Sequence, residues 1–303
     1  MMLRKKSLQI QTVLYNNERA RIIRSIKSIA RAVDFAIHDQ IFEKITLYYG
    51  DGSQQPVFTD QEIEKLNEDY GEYFEINYDC FESNLGSARG HNRLARHSQS
   101  DYIMIINPDI LLAPDTLKQL SEPYDNLKQK VGIVEAKQLP IEHPKFYNLK
   151  TGETSWASTA CVLIPRPVFE EVNGFDADTF FLYCDDVDFS WMVRLKGYRI
   201  IYQPSAVAFH DKTLSDHGTW KTSDAEDYYS AEAGLLMAYK WSRPDILKDI
   251  ITYFENSDIS YYKAAVKEFK RRQQEDELPD QVDSNHKIGE FINSNYGKMR
   301  FSL

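Results

Sequence analysis

Three acids fall within four residues at Asp185-Asp186-Val187-Asp188, directly after the aromatic run Phe180-Phe181-Leu182-Tyr183. Crowded carboxylates repel one another, and a helix N-terminus relieves part of that cost. Two readings stand. The acids are first-turn residues of a solvated helix, or they line the mouth of an apolar cleft. There, partial desolvation raises a carboxyl pKa and equips it as a general base. Asn107-Pro108-Asp109 follows the most apolar strand pattern of the chain, Tyr102 to Ile106. Asn-Pro and Pro-Asp favour a turn, and a carboxylate at a strand end also suits magnesium or manganese, which prefer oxygen ligands. His210 closes another apolar run. A lone histidine reads as structural, but opposite Asp109 its neutral imidazole would complete a metal site.

The loop Asn84-Leu85-Gly86-Ser87-Ala88-Arg89-Gly90-His91-Asn92, followed by Arg93 and Arg96, is rich in glycine and arginine. Backbone amides and guanidiniums at a helix start suit a phosphate. The loop matches neither GxxxxGK[ST] nor GxGxxG, so neither a P-loop ATPase nor a Rossmann dehydrogenase is supported. No Gly-x-Ser-x-Gly elbow or zinc-spaced set of histidine and cysteine occurs in the sequence.

These groups need a scaffold. Ser7 to Leu14 alternates with period two, as a strand does. Asn16 and Asn17 are N-cap candidates for a helix with Ile22, Ile26, Ile29 and Val33 on one face. Ile45 to Tyr49 is a second strand, cut off by Gly50-Asp51-Gly52-Ser53. Asp60 is expected to cap a helix through Leu66 that Gly71 ends, before a third strand from Tyr73 to Tyr78. A helix from Gly86 to His97 precedes the fourth strand at Tyr102 to Ile106. Such repetition predicts a mainly parallel sheet covered on both faces. Its ligands gather at the carboxyl ends of the strands, which brings Tyr15, Asp51 and Asp109 to one crevice.

Further strands are expected at Val131 to Ala136 and Ala157 to Ile164, and a helix over Asp185 to Lys196 ended by Gly197. Two strands, Tyr198 to Tyr202 and Ala206 to Phe209, flank Pro204. From about Trp220 the pattern is helical, with a break at Arg243-Pro244, and Lys267 to Glu277 reads as a solvated helix or linker. Tyr228, Tyr229, Leu235, Leu236 and Tyr239 fall at roughly helical spacing and are assigned to packing.

The chain has 303 residues, 42% of them hydrophobic and 27% charged, enough to bury a sizeable core. A net charge of −10 disfavours a general nucleic-acid binder, which needs a basic surface to displace counterions. The sequence contains no uninterrupted apolar stretch of membrane-spanning length, and Gln9, Gln11 and Asn16 break the run behind the basic start, against a signal peptide. Cys80, Cys161 and Cys184 form no CxxC pair, as expected of a soluble protein in a reducing cytoplasm.

Over about residues 7–215 the motifs resemble, in order, those of family 2 glycosyltransferases, inverting enzymes of the GT-A type. TVLYNN resembles the opening nucleotide-binding strand and YYGDGS the second strand with its acidic turn. NLGSARGHN resembles the helix start beside the donor, and YIMIINPDILL the metal-binding DxD strand. The segment NGFDADTFFLYCDDVDFSWMVRLKGYRIIYQPSAVAFHD is similar to the acceptor and catalytic-base segment running on to a terminal histidine. NPD and this segment look most like the branch that contains bacterial rhamnosyltransferases. The resemblance implies an α/β fold, a GT-A type Rossmann-like sheet over residues 1–219, with a nucleotide-sugar half to about 110 and an acceptor half beyond. A C-terminal helical extension fills 220–303.

The resemblance also implies the chemistry. One sugar would move from a dTDP- or UDP-sugar to a hydroxyl of a glycan or lipid-linked acceptor, in bacterial surface polysaccharide synthesis. Asp186 would be the general base, and Asp109 and His210 would hold Mn2+ or Mg2+. Tyr15, Asn17, Asp51, Arg89, Asn92 and Asn107 would face the donor, and Asp185, Asp188 and Trp191 the acceptor. Gly50 stands where many members carry an aspartate, Asn107 replaces the first aspartate of DxD, and Asp185 is shorter than the usual glutamate. The processive signature QxxRW is absent from the sequence, which favours transfer of a single sugar. The expected place is the cytoplasm or the inner face of the membrane, with a peripheral membrane contact and a homodimer both left open. Three rivals are weighed, one of them a glycosidase, which also uses paired carboxylates but requires no nucleotide. A nucleotidyltransferase would need a glycine-rich loop after the first strand, where TVLYNNERAR has no glycine. A nucleotide-sugar-binding protein without turnover is made credible by Gly50 and Asn107.

Overall fold

The computed structural model describes residues 6–97, 99–127, 130–142, 144–211 and 223–300. The alternating N-terminal segment forms β1 (Lys6–Leu14), and the Ile22/Ile26/Ile29/Val33 face is buried along α1 (Arg19–His38). Neither asparagine caps that helix. Glu18 stands at the N-cap with no side-chain bond, because Asn16 is left-handed (φ 54°) and Asn17 turns its side chain back to the Tyr15 amide. Next come β2 (Phe42–Asp51) and α2 (Asp60–Tyr70). Thr59, not Asp60, caps α2, in a reciprocal capping box with Glu62, and Gly71 ends it. The third strand lies two residues later than expected, as β3 (Glu75–Cys80), and is followed by α3 (Gly86–Ala95), β4 (Tyr102–Ile106), β5 (Ile110–Leu112) and α4 (Thr116–Asn126).

The middle of the chain supplies β6 (Val131–Leu139), the short β7 (Glu153–Thr154), β8 (Cys161–Pro165), α5 (Arg166–Glu171) and α6 (Asp185–Leu195). The two strands expected around Pro204 are one, β9 (Arg199–His210). Proline has no N–H for the ladder, and the pairing with β6 skips from Gln203 opposite Ala136 to Val207 opposite Lys137. Proline therefore sits in a bulge and does not end the strand.

The main sheet has the order β3-β2-β1-β4-β8-β6-β9-β5, with β7 against β9. The pairs β1/β2, β2/β3, β1/β4 and β6/β9 are parallel, whereas β8 is antiparallel to both β4 and β6. Two reversals cancel, so β1, β2, β3, β4, β6 and β9 all point their carboxyl ends to one edge. One face of the sheet packs on α1, α2 and α4 through Ile22, Leu66 and Leu117, and the other on α3, α5 and α6 through Ala88, Phe169 and Phe189.

The C-terminal region contains α7 (Asp224–Lys240), α8 (Pro244–Asn256), with the break proline at its first turn, and α9 (Ser260–Gln274). It is not helical throughout. From residue 275 the chain is mostly irregular and ends in a small hairpin, β10 (Phe291–Ile292) and β11 (Asn295–Tyr296). A separate core of Trp191, Leu235, Trp241, Ile250 and Phe269 joins these helices to α6. The expected boundary at 219/220, the helical onset at Trp220 and the basic start at residues 1–5 lie outside the described residues. Among the described residues no helix is long and apolar enough to cross a membrane.

Candidate active site

At the carboxyl end of β1, Tyr15 is half exposed and Asn17 Oδ1 accepts from its amide at 2.8 Å. The amide of Asn16 donates to Ser53 Oγ at 2.7 Å, which ties the turn after β1 to the turn after β2. Asp51 is buried beneath that tie. Its carboxylate accepts from the amides of Ser53 at 2.8 Å and Val57 at 2.7 Å and from the Tyr78 hydroxyl. Asp51 thus folds the 52–57 loop beneath the turn that carries Tyr15. Gly50 has a packing reason: a Cβ there would lie 2.0 Å from Cζ of Phe81, so the Phe81 ring fills the place of a larger side chain.

The end of β4 is fixed by the Asn107 amide, which donates to the Ala160 carbonyl at 2.9 Å. The antiparallel pairing of β5 with β9 sets Ile110 opposite His210, and the Asp211 amide donates to the Asp109 carbonyl at 2.9 Å. This ladder carries two distant residues together. His210 Nε2 lies 3.2 Å from Asp109 Oδ1. On the other side of the ring, Nδ1 lies 2.8 Å from Gln138 Oε1, an acceptor, so Nδ1 is the donor. In the neutral imidazole, Nε2 then presents its lone pair beside a carboxylate oxygen. A ligating histidine whose other nitrogen donates to an oriented oxygen has the outer support that metal sites use. Among the described residues no group of three His, Cys, Asp or Glu gathers to hold a metal. The donor set fits a hard divalent cation whose other ligands are phosphate oxygens and water.

Two consecutive non-glycine residues, Tyr183 (φ 64°) and Cys184 (φ 54°), are left-handed just before α6. Such backbone costs of order 1–3 kcal/mol per residue and persists where its surroundings over-determine it. Here the Tyr183 hydroxyl is anchored on Glu226 and Cys184 is fully buried. The strained turn starts α6 at the acids. Gly86, at the start of α3, is also left-handed, and a Cβ there would come 2.4 Å from the Phe181 carbonyl oxygen. That close approach brings Ser87 beside Asp185, whose carboxyl it pulls down. Burial first, then the neighbouring charge of Asp186, pushes the Asp185 carboxyl well above its ordinary value, and its Oδ2 has no hydrogen-bond partner. Asp186 Oδ1 accepts from the Val187 amide at 2.8 Å, and Oδ2 from Arg300 Nη1 at 2.9 Å.

Four of the expected site residues do other work. Asp188 is buried between Lys240 Nζ at 2.8 Å and Trp241 Nε1 at 2.9 Å, and so docks α7 onto α6. Trp191 is fully buried and meets Trp241 edge-on at 5.0 Å. The amide of Asn92 is used in both directions on the Phe175 backbone, at 2.7 and 2.9 Å, and Arg89 pairs with Asp178 at 2.7 Å. Both side chains hold the 175–178 loop.

Sequence reasoning missed Arg300, 114 positions from Asp186, and a buried pair beside it. Lys145 Nζ lies 3.1 Å from Glu135 Oε2 and 3.3 Å from the Trp156 ring centroid, and it feels the charges of Asp186 and Arg300. Arg300 lies over the same Trp156 ring at 5.2 Å. No short-range motif signals such a cluster; only the return of the C-terminal segment assembles it.

The sequence model described as "Glycosyl transferase family 2" matches residues 12–172, just over half of the chain. The chain is 26% identical over 143 residues to the rhamnosyltransferase WbbL of Escherichia coli K12, covering 38% of this chain and 54% of that protein. It is 38% identical over 60 residues to the N-acetylglucosaminyl-diphospho-decaprenol L-rhamnosyltransferase of Mycobacterium tuberculosis H37Rv, 20% of this chain and 19% of that one. The alignments thus span from about a fifth to about half the length of these curated relatives. Among solved structures, GalNAc-T7 with UDP, GalNAc and Mn2+ superimposes with TM-score 0.64 at 13% identity, over 94% of this chain and 57% of that one. The mannosyltransferase PcManGT of Pyrobaculum calidifontis, in complex with GDP-Man and Mn2+, gives 0.52 at 16% identity, over 90% and 82%. At these identities the likeness is one of fold, and the fold is GT-A. With the family match over residues 12–172 and this sheet, the chain belongs to glycosyl transferase family 2.

Proposed function

We propose that the protein is an inverting, non-processive transferase that moves one sugar, a deoxyhexose such as rhamnose, from a nucleoside-diphosphate donor to a hydroxyl of a glycan or lipid-linked acceptor. The rhamnose assignment rests on the likeness to two rhamnosyltransferases. Residues to about 110 bind the donor, residues 111–219 receive the acceptor, and 220–303 complete the acceptor side. Asp109 and His210 hold Mn2+ or Mg2+, which when bound offsets charge on the leaving diphosphate. Tyr15 and Asn107, at the ends of β1 and β4, border the donor.

Asp186 takes the proton of the acceptor hydroxyl. As that oxygen bonds to the anomeric carbon, the carbon–oxygen bond to the diphosphate breaks on the opposite face. Base catalysis of this kind contributes about 10²–10⁴-fold. One observation carries the reading: Asp186, in the first turn of α6, is held in a single orientation between the Val187 amide and Arg300. The test is a screen of nucleotide sugars with and without manganese, read by thermal shift, since a bound ligand stabilises the fold by mass action. A manganese-dependent shift with dTDP- or UDP-sugars is expected. The absence of any shift across the panel would overturn the proposal.

A second reading assigns the base to Asp185. Its unpartnered Oδ2 and its carboxyl raised by burial are features of a proton acceptor. Turnover retained in Asp186→Asn and lost in Asp185→Asn would move the role.

A further inference from the structure

Between α7, α8, α9 and the terminal hairpin lies a cavity of about 630 Å³, within the roughly 300–1,000 Å³ range of small-ligand sites. Five rings line it: Tyr253, Phe254, Tyr261, Tyr262 and Tyr296. Phe254 and Tyr262 stack nearly parallel at 4.1 Å, Tyr261 meets Tyr262 edge-on at 4.7 Å, and Tyr253 lies 5.7 Å from Tyr262 with 62% of its surface exposed. Polar groups interleave them, with Asp227 on α7, Asp249 on α8 and Asn295 on the hairpin.

We infer that this cavity is a saccharide-binding site, a subsite for the acceptor glycan separate from the carboxylates that act on it. A sugar ring has C–H faces that stack on aromatic rings and hydroxyls that need both donors and acceptors at its edge. Tyrosines supply rigid amphipathic area, while amides and carboxylates bond to hydroxyls in fixed directions. The alternative occupant of an aromatic and acidic cavity is a quaternary ammonium, which aromatic cages enclose. Phe254 and Tyr262 are stacked on each other, so they offer a continuous apolar wall and not a box of ring faces. Neutral polar groups from Ser230 and the Asn293–Asn295 turn stand beside the acids.

The site also connects to the chemistry. Tyr296 lines the cavity, and the Arg300 guanidinium lies 5.8 Å from the Tyr296 ring and donates to Asp186. A glycan seated on the tyrosines is thus two side chains away from the proposed base. That it is the acceptor rests on the sugar-transfer reading; that it binds saccharide does not.

The test uses the intact chain without donor. Saturation-transfer NMR is recorded with triacetylchitotriose, maltotriose and a rhamnose trisaccharide, and with choline as the cationic probe. Saturation of at least one trisaccharide is expected, with affinity reduced about tenfold or more in Tyr253→Ala and reduced in Asp249→Asn. Both side chains are exposed, so the fold tolerates their loss, and nucleoside-diphosphate affinity should match the parent protein. No trisaccharide binding, equal binding in the variants, or binding of choline alone would each overturn the inference. Saccharide binding without sugar transfer would instead overturn the transferase proposal and leave this site standing.

Discussion

Asp109 and His210, 101 positions apart in the chain, meet at 3.2 Å because the pairing of β5 with β9 brings two strand ends together. Gln138, which orients His210, was not legible; it belongs to β6, and no local pattern marks its contact. The packing that takes up Asp188 and Trp191 was not legible either, for a physical reason. α6 is buried nearly all round, so periodicity gives no sign of which face borders a cleft and which meets α7. If Asp109 and His210 hold the cation, Asp109→Ala abolishes the manganese-dependent part of nucleoside-diphosphate binding measured by calorimetry. Gln138→Ala, which removes only the orienting bond, should weaken it by about 10–100-fold. Unchanged affinity in both would place the cation elsewhere.

Strand and helix types were legible over most of the sheet, since alternation and 3.6-residue spacing follow directly from which face is buried. Cap positions and the continuity of β9 were less so, because Thr59 against Asp60 and a bulge against a strand end are decided by hydrogen bonds that a pattern does not carry. The attachment of α7 to α6 depends on Lys240, whose ammonium meets Asp188 at 2.8 Å and Asp176 at 2.7 Å. Lys240→Met leaves Asp188 buried beside an apolar stem, and removal of one partner from a buried pair costs about 3–5 kcal/mol. A lower urea midpoint is expected, and an unchanged midpoint would deny the pair its docking role.

On β6, burial pushes the Glu135 carboxyl up to about 7, against the opposing charge of Lys145. The folded state therefore holds a proton that the unfolded chain, near its ordinary value of 4.5, gives up. This contribution to stability is full below about 4.5 and is lost as pH rises through about 7. Glu135→Gln should flatten the fall of the melting temperature between those limits. A profile identical to that of the parent protein would show that Glu135 does not titrate there.

At the scale of the whole molecule, the GT-A sheet turns the carboxyl ends of its parallel strands to one edge, and the C-terminal segment returns to set Arg300 on Asp186. The sheet was foreseeable from motif order; the return of residues 275–300 was not, since a largely irregular, polar stretch carries no periodicity to read. Holding the diphosphate and removing the proton are, on this account, separable tasks of separate residues. The most direct measurement is transfer rate and manganese-dependent nucleoside-diphosphate affinity, side by side, in Asp186→Asn. Turnover should fall by about 10²–10⁴-fold with affinity intact. Near-normal turnover would contradict the account at its centre.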